Sequence, residues 1–139
     1  MLFASLLSLV LMATCVVIHY EALQRLHAAL PRTHWLSPRP RVILAMLGAI
    51  ASHLSQIALF AFAYYLLRDK FGLGQFGGQF EDSYSNFLYF STETYSTLGL
   101  GDIYPIGTLR MVMGIETLTG LLMISWTASF SYLEMRRFW

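Results

Sequence analysis

Three long stretches of the chain carry few or no charged side chains. Residues 1–20 and 42–67 contain no Asp, Glu, Lys or Arg, and residues 108–133 contain only Arg110 and Glu116. A helix of about 20 apolar residues crosses the hydrocarbon core of a bilayer. The pattern therefore predicts three membrane-spanning helices, within residues 1–30, 42–67 and 108–133.

The first helix is expected to continue past residue 20 along the membrane interface. Apolar residues such as Leu26 and Leu30 recur there at helical spacing among polar residues. Pro31 is expected to end the helix, and Pro38 and Pro40 to keep a linker over residues 31–41 irregular.

A cleaved signal peptide is the alternative for the first apolar stretch. Signal peptides usually begin with a basic region, which is absent here. The residues before Cys15 loosely resemble a lipoprotein cleavage site, but Thr14 is bulkier than the small residue expected there. A retained transmembrane helix fits the sequence better.

Composition agrees with a membrane protein. Of 139 residues, 56% are hydrophobic and only 12% are charged, and the net charge is +1. Soluble domains are about 25% charged, and disordered chains are both more charged and less hydrophobic. The near-zero net charge gives no sign of a nucleic-acid partner. The high hydrophobic content makes membrane lipids the expected surroundings. Cys15 stands alone and cannot form an intrachain disulfide.

Basic residues mark two ends of the predicted helices. Arg32, Arg39 and Arg41 lie in the linker, just after Arg25, and Arg136 and Arg137 follow the third helix. Cytoplasmic segments are enriched in Lys and Arg. We therefore expect the linker and the C-terminus to be cytoplasmic and the N-terminus to be extracellular, in the cell membrane.

Residues 83–107 are mostly apolar, yet they cannot form a fourth span. The helical part, residues 83–96, would be only about 20 Å long, and Asp82 or Ser83 could cap its start. Gly99 and Gly101 then break the helix. Non-helical backbone at membrane depth is tolerated where protein buries it or water lines it. We therefore expect a re-entrant loop after a flexible extracellular turret over residues 68–82. The G-x-G-x-x-G match at residues 72–77 of this turret lacks the strand that a dinucleotide site requires.

The loop has the residues of a cation filter. Glycine alternates with other residues in Thr97-Leu98-Gly99-Leu100-Gly101-Asp102, and glycine reaches backbone conformations that are closed to other residues. Successive carbonyl groups can then point to one side. Four such strands around an axis would stack carbonyl rings that replace the hydration shell of a cation. The expected cation ligands are the carbonyls of residues 97–100, with the Thr97 hydroxyl at the inner end.

Residues 89–105, YFSTETYSTLGLGDIYP, resemble the pore helix and filter of the tetrameric potassium-channel pore-domain family. The usual filter of that family is T-V-G-Y-G-D. Here Leu98 replaces valine, which is a conservative change, and Leu100 replaces the aromatic residue. Leucine at the position of the aromatic residue is similar to the second pore loop of some two-pore-domain potassium channels. The resemblance covers about residues 42–133 and leaves the first helix as an addition.

The resemblance implies roles for residues around the filter. Glu93 and Asp102 would pair behind it and share a proton, since two carboxylates in one site do not easily both ionise. The alternative is that Glu93 faces a water pocket. Tyr89 and Phe90 would occupy the positions of an aromatic cuff. Leu100 has no hydrogen-bonding group, so the outer filter is expected to be looser and more dependent on external K⁺.

The resemblance also implies roles for residues of the third membrane-spanning helix. Gly120 or Gly114 would act as a gating hinge, although close helix packing explains small residues equally well. The residues expected to line the inner cavity share one helical stripe and are Leu121, Ile124, Ser125, Ala128 and Tyr132.

His53, Gln56 and Glu116 are polar residues inside the second and third predicted spans. Intramembrane ionisable residues are functional candidates, but hydrogen bonds between the second and third spans are the simpler explanation. The four histidines lack metal-ligand spacing, and no set of nucleophile, base and acid indicates an enzyme.

The sequence therefore predicts an all-α membrane protein with three transmembrane helices, a re-entrant pore helix and an extended filter strand. Residues 42–139 would form the ion-channel pore domain, with its filter at residues 97–102, in a homotetramer closed by symmetry. The expected function is potassium-selective conduction, with K⁺ as the only bound species. The alternatives are a weakly selective cation channel and a non-conducting membrane adaptor that retains the pore-loop fold.

Overall fold

The computed structural model describes residues 2–32, 35 and 37–138. It contains four α-helices, α1 (Leu2–Ala29), α2 (Pro38–Tyr65), α3 (Tyr84–Tyr95) and α4 (Leu109–Phe138). Helices α1, α2 and α4 are long and apolar enough to cross a membrane. Helix α3 has 12 residues, or about 18 Å, and is too short to do so. The predicted architecture of three spans and one re-entrant helix is confirmed.

The connection between α1 and α2 is shorter than predicted. A 3-10 turn, Leu30–Arg32, follows α1, and α2 begins at Pro38 rather than at residue 42. The expectation that Pro38 and Pro40 keep residues 31–41 irregular is therefore wrong. Both prolines lie in the first turn of α2, where backbone N–H groups have no helical partner and proline is tolerated. Thr33, His34 and Leu36 of the predicted linker, like Met1, lie outside the described residues.

The predicted turret, residues 68–82, is more ordered than expected. After α2, a π-helical turn covers Leu66–Lys70, and a strand β1 (Gly74–Gly78) pairs antiparallel with β2 (Ile103–Gly107). This hairpin adds two short strands to an otherwise helical fold, and its first strand lies within the predicted turret. Its anchor is Phe76, whose ring stacks on Phe80 with centroids 4.9 Å apart.

The helix ends also differ slightly from the predicted ones. Helix α3 is one residue shorter at each end than residues 83–96, and α4 runs beyond residue 133. Ser83 occupies the N-cap position of α3 but makes no side-chain cap hydrogen bond. Its hydroxyl instead accepts from the Asn86 amide at 2.9 Å.

The main hydrophobic core holds α3 against the long helices. It includes Phe60, Tyr64, Phe87, Phe90 and Val112, all of them buried. Helix α1 contacts both α2 and α4. The short helix thus packs directly against α2 and α4, and α1 packs against both of these helices.

Candidate functional site

The segment after α3 turns back so that three consecutive backbone amides meet Glu93. The N–H groups of Leu98 and Gly99 donate to the Glu93 carbonyl oxygen at 2.8 and 3.3 Å. The N–H of Leu100 donates to Glu93 Oε2 at 3.2 Å. In a trans peptide, each N–H points opposite to the carbonyl of the preceding residue. The carbonyls of Thr97, Leu98 and Gly99 therefore point away from Glu93 and α3, toward the exposed side of the segment.

Backbone conformation alternates along the same segment. Thr97, Gly99 and Gly101 have φ values of +62°, +56° and +79°, whereas Leu98 and Leu100 have negative φ. Glycine adopts positive φ without a steric penalty, but Thr97 is an uncommon case. Its N–H donates to the Thr94 carbonyl oxygen at 3.1 Å, which ties this conformation to the end of α3. The alternation expected from the glycine spacing is present.

Glu93 and Asp102 bond to different donors. Glu93 is only 3% exposed, which does not fit a carboxylate facing a water pocket. Asp102 accepts from the Tyr89 hydroxyl at 2.9 Å and from the Ile103 N–H at 3.1 Å. Burial raises the pKa of Glu93, the Leu100 N–H lowers it, and the charge of Asp102 raises it. The two carboxylates therefore interact electrostatically, and a proton shared between them stays a prediction.

Tyr89 and Phe90 face different parts of the protein. Tyr89 reaches Asp102 beside the filter segment. The Phe90 ring is fully buried and packs edge-on against Tyr64 and Phe76, with centroids 5.1 and 4.9 Å apart. Successive helix positions point about 100° apart, so these neighbours cannot both face the filter of one chain. Phe90 supports the loop indirectly, by anchoring α3 to α2 and β1.

The two glycines of α4 have different surroundings. A Cβ atom at Gly120 would lie 2.0 Å from the Tyr95 carbonyl oxygen, whereas a Cβ at Gly114 would meet nothing within 4 Å. Gly120 therefore permits α4 to approach the end of α3, which favours the packing interpretation at this position. The predicted cavity stripe is exposed in the single chain at every position, Leu121, Ile124, Ser125, Ala128 and Tyr132.

Hydrogen bonds join the polar residues inside the spans. His53 Nε2 lies 2.8 Å from Thr127 Oγ1, and Glu116 Oε2 accepts from the Tyr64 hydroxyl at 2.5 Å. Both contacts link α2 to α4, as predicted. Gln56 behaves differently, because it bonds to His19 of α1 and to Tyr95 of α3, at 3.2 and 2.9 Å.

Glu116 has a second partner on the short helix. Ser91 Oγ lies 2.5 Å from Glu116 Oε1 and 2.9 Å from the Ile57 carbonyl oxygen. A hydroxyl has one proton to donate. Both contacts are satisfied together when Glu116 is protonated and donates to Ser91, which then donates to Ile57. The carboxyl group thus fixes the middle of α3 to α4.

The contributions of α1 to the site were not predicted from the sequence. His19 is fully buried and faces α2 and α4. At the far end of α1, His27 Nδ1 lies 2.5 Å from Glu134 Oε1 of α4, and Glu134 is buried. The available signal was the presence of two imidazoles on this helix, but their partners are more than 30 residues away. Among the described residues, no group of three or more His, Cys, Asp or Glu side chains could hold a metal ion.

Comparison with known proteins agrees with this geometry. A family model described as "Ion channel" matches residues 52–133, which is more than half of the chain and runs from α2 through the loop into α4. No curated protein and no solved structure matches the chain in the same comparisons. Helix α1 precedes the matched residues. With three apolar helices of membrane-spanning length and this match, the chain is an integral membrane protein that belongs to the ion channel family.

Proposed function

We propose that four copies of this chain form a potassium-selective channel in the cell membrane. The observation that supports this most strongly is the direction of three consecutive amides toward Glu93. It turns the carbonyls of Thr97, Leu98 and Gly99 to the opposite side. Together with the Leu100 carbonyl and the Thr97 hydroxyl, these oxygens would replace the water around K⁺. Gly101 would form the turn at the outer end of the filter. Because carbonyls carry only dipoles, the ion can also leave.

Four copies are proposed because one loop supplies only part of a ring around an ion. Leu98 and Leu100 are 63% and 61% exposed in the single chain. We assign these apolar side chains to contacts with neighbouring copies, while the carbonyls face the axis. The exposed α4 stripe, from Leu121 to Tyr132, would then line the cavity below the filter. A closed ring of identical chains satisfies all of these surfaces at once.

Orientation is proposed from the basic residues. Arg39 and Arg41 of α2 and Arg136 and Arg137 of α4 belong to ends that the positive-inside rule places in the cytoplasm. The β1–β2 hairpin and the outer end of the filter would then be extracellular. An impermeant thiol reagent added outside should label a cysteine introduced at Gly77 and spare one introduced at Arg39.

Weak cation selectivity is the second candidate, and Leu100 favours it. Leucine offers no hydrogen bond to hold the outer filter, and the Phe90 ring is turned to Tyr64 and Phe76. The outermost carbonyl ring would then rest on packing alone, which is non-directional. We place K⁺ selectivity first because the inner carbonyls are held by Glu93.

The test is ion flux into vesicles containing the purified complex, with its mass measured in the same detergent. Four chains and K⁺ flux that exceeds Na⁺ flux would support the proposal. Equal fluxes would favour the second candidate, and no flux from an intact tetramer would favour a non-conducting adaptor.

The chain offers a matched pair of variants for this assay. Gly99 and Gly72 have φ values of +56° and +59°, and a Cβ atom at either meets nothing within 4 Å. Alanine at either position therefore carries a similar backbone penalty, of about 1–2 kcal/mol. Gly99→Ala should abolish or strongly reduce K⁺ flux, whereas Gly72→Ala should conduct like the wild type.

A further inference from the structure

A closed ring of hydrogen bonds lies within the helix bundle. Tyr95 Oη donates to Gln56 Oε1 at 2.9 Å, and Gln56 Nε2 lies 3.2 Å from His19 Nδ1. His19 Nε2 lies 3.1 Å from Thr127 Oγ1, and Thr127 Oγ1 lies 2.8 Å from His53 Nε2. His53 Nδ1, at 3.0 Å from Tyr95 Oη, closes the ring. All four helices contribute at least one member.

Donor and acceptor roles follow around this ring. Because Tyr95 donates to Gln56, it must accept from His53 Nδ1–H, which leaves His53 Nε2 as an acceptor for the Thr127 hydroxyl. Thr127 then accepts from His19 Nε2–H, and His19 Nδ1 accepts from the Gln56 amide. Each of the five groups donates once and accepts once within the ring. The pattern is complete only when both imidazoles are neutral.

One member of the ring, Tyr95, leads directly into the filter. Tyr95 is the last residue of α3 and is 1% exposed. Thr97, two residues later, begins the filter segment. The Tyr95 carbonyl also fits against Gly120, so the ring and α4 together fix this residue from two sides.

We propose that α1 helps to hold the filter segment in place and that His19 is a positioning residue for that segment. Acting through Gln56 and Thr127, His19 holds the Tyr95 hydroxyl and thereby the start of the segment that turns its carbonyls outward. Helix α1 lies outside the residues matched by the ion-channel family model, so this is a function for the additional helix. The inference rests on the proposed function only where conduction is measured.

Protonation of either imidazole would break the ring. A proton on His19 Nδ1 would face the Gln56 amide, and one on His53 Nε2 would face the donating Thr127 hydroxyl. The two imidazole rings lie 5.0 Å apart, so a charge on one opposes a charge on the other. Titratable groups near Tyr95 also include Cys15 on α1 and Glu116 on α4. Acid should therefore weaken the hydrogen bonds that hold Tyr95 and the filter segment after it.

The test compares four variants of the full-length tetramer with the wild type. His19→Leu removes a member of the ring on α1, and Thr127→Val removes one on α4, so each variant breaks the ring. His19→Gln retains one donor and one acceptor without titrating. The matched control is Thr14→Val, because Thr14 is exposed on the same helix and its hydroxyl donates to the Val10 carbonyl oxygen at 2.8 Å, outside the ring.

The first readout is hydrogen exchange of the backbone amides of Leu98 and Gly99, which needs no conduction. His19→Leu and Thr127→Val should exchange roughly two- to tenfold faster than the wild type and Thr14→Val, as expected for one lost hydrogen bond. Wild-type exchange in both ring variants would overturn the inference, whether or not the protein selects K⁺. If His19→Leu fails to assemble, Thr127→Val, which is nearly isosteric, decides alone.

The second readout is the K⁺-to-Na⁺ permeability ratio at about pH 7.5 and about pH 4, well above and well below the ordinary histidine pKa of about 6.5. The wild-type ratio should fall on acidification, His19→Leu should have a low ratio at both values, and His19→Gln should keep a high ratio with a weaker acid response. Equal ratios and equal acid responses in all three would contradict a positioning role. A non-selective wild type would contradict the proposed function instead and leave the exchange result to decide this inference.

Discussion

The Tyr95 carbonyl oxygen occupies the space that a side chain at Gly120 would need, 2.0 Å from the site of its Cβ atom. The end of the short helix therefore fits directly against the backbone of α4. Gly120→Ala should push α4 away from Tyr95 and destabilise the tetramer by about 1–3 kcal/mol, the usual cost of overpacking. Thermal dissociation of the tetramer measures this effect.

Gly114→Ala is the control for that substitution, because a Cβ atom there meets nothing within 4 Å. It should be neutral or should stabilise α4 by up to about 1 kcal/mol through helix propensity. Equal loss of stability in both variants would show that glycine flexibility matters at both positions, rather than close packing at Gly120.

Glu93 should stabilise the filter segment mainly as a hydrogen-bond acceptor for Leu100. Glu93→Ala leaves that N–H without its partner and should cost about 1–3 kcal/mol of tetramer stability. Glu93→Gln keeps an acceptor oxygen and should lose much less. If the two variants lose equal stability, the contact at 3.2 Å is not the one that matters.

Tetramer stability should also depend on pH through Glu93. Its pKa is raised in the folded protein from its ordinary value of 4.5, chiefly by burial. Below pH 4.5 the folded and unfolded states both hold the proton, whereas above it the unfolded state ionises first. Stability should therefore fall as pH rises through the folded pKa. Glu93→Gln should remove this part of the pH dependence, and an unchanged profile would contradict the assignment.

The protein should tolerate a neutral polar side chain at position 116 but not an apolar one. Glu116→Gln can accept from Tyr64 and donate to Ser91, so the variant should assemble and conduct. Glu116→Leu leaves both hydroxyls without this partner and should destabilise the tetramer by about 1–3 kcal/mol. Flux and thermal dissociation of the two variants check this, and a severely impaired Glu116→Gln would show that a carboxylate charge is needed.

Leu100 should make the outer filter sensitive to external K⁺. The Phe90 ring is buried against Tyr64 and Phe76, so Leu100→Tyr gains no hydrogen bond from it in the same chain. Adding Phe90→Trp enlarges a packed cluster and should lower stability. The permeability ratio across external K⁺ concentrations should therefore vary in the wild type and in Leu100→Tyr alike. A ratio independent of external K⁺ in the wild type would refute the argument.

Local patterns predicted most of the architecture. Long uncharged stretches gave the three spans, and the short apolar segment broken by Gly99 and Gly101 gave the re-entrant helix and filter segment. Proline at positions 38 and 40 was misjudged because its effect depends on where the helix begins, and both residues lie in the first turn of α2.

Contacts between distant residues could not be predicted in this way. Strand β1 has three glycines in five residues and shows no alternating pattern, and it forms only because β2 and the ring of Phe80 lie beside it. His19 looked like one polar residue on an apolar helix, since its partners Gln56 and Thr127 come from two other helices. The choice between hinge and packing at Gly120 required the position of Tyr95.

Potassium selectivity itself is tested most directly by a reversal potential under bi-ionic conditions, with K⁺ on the cytoplasmic side and Na⁺ at equal concentration outside. The outward carbonyls of Thr97, Leu98 and Gly99 predict a strongly negative reversal potential on the cytoplasmic side, because K⁺ leaves far more readily than Na⁺ enters. Gly72→Ala should reproduce that value. A reversal potential near zero, in tetramers that carry current, would contradict selective binding of K⁺ by these carbonyls.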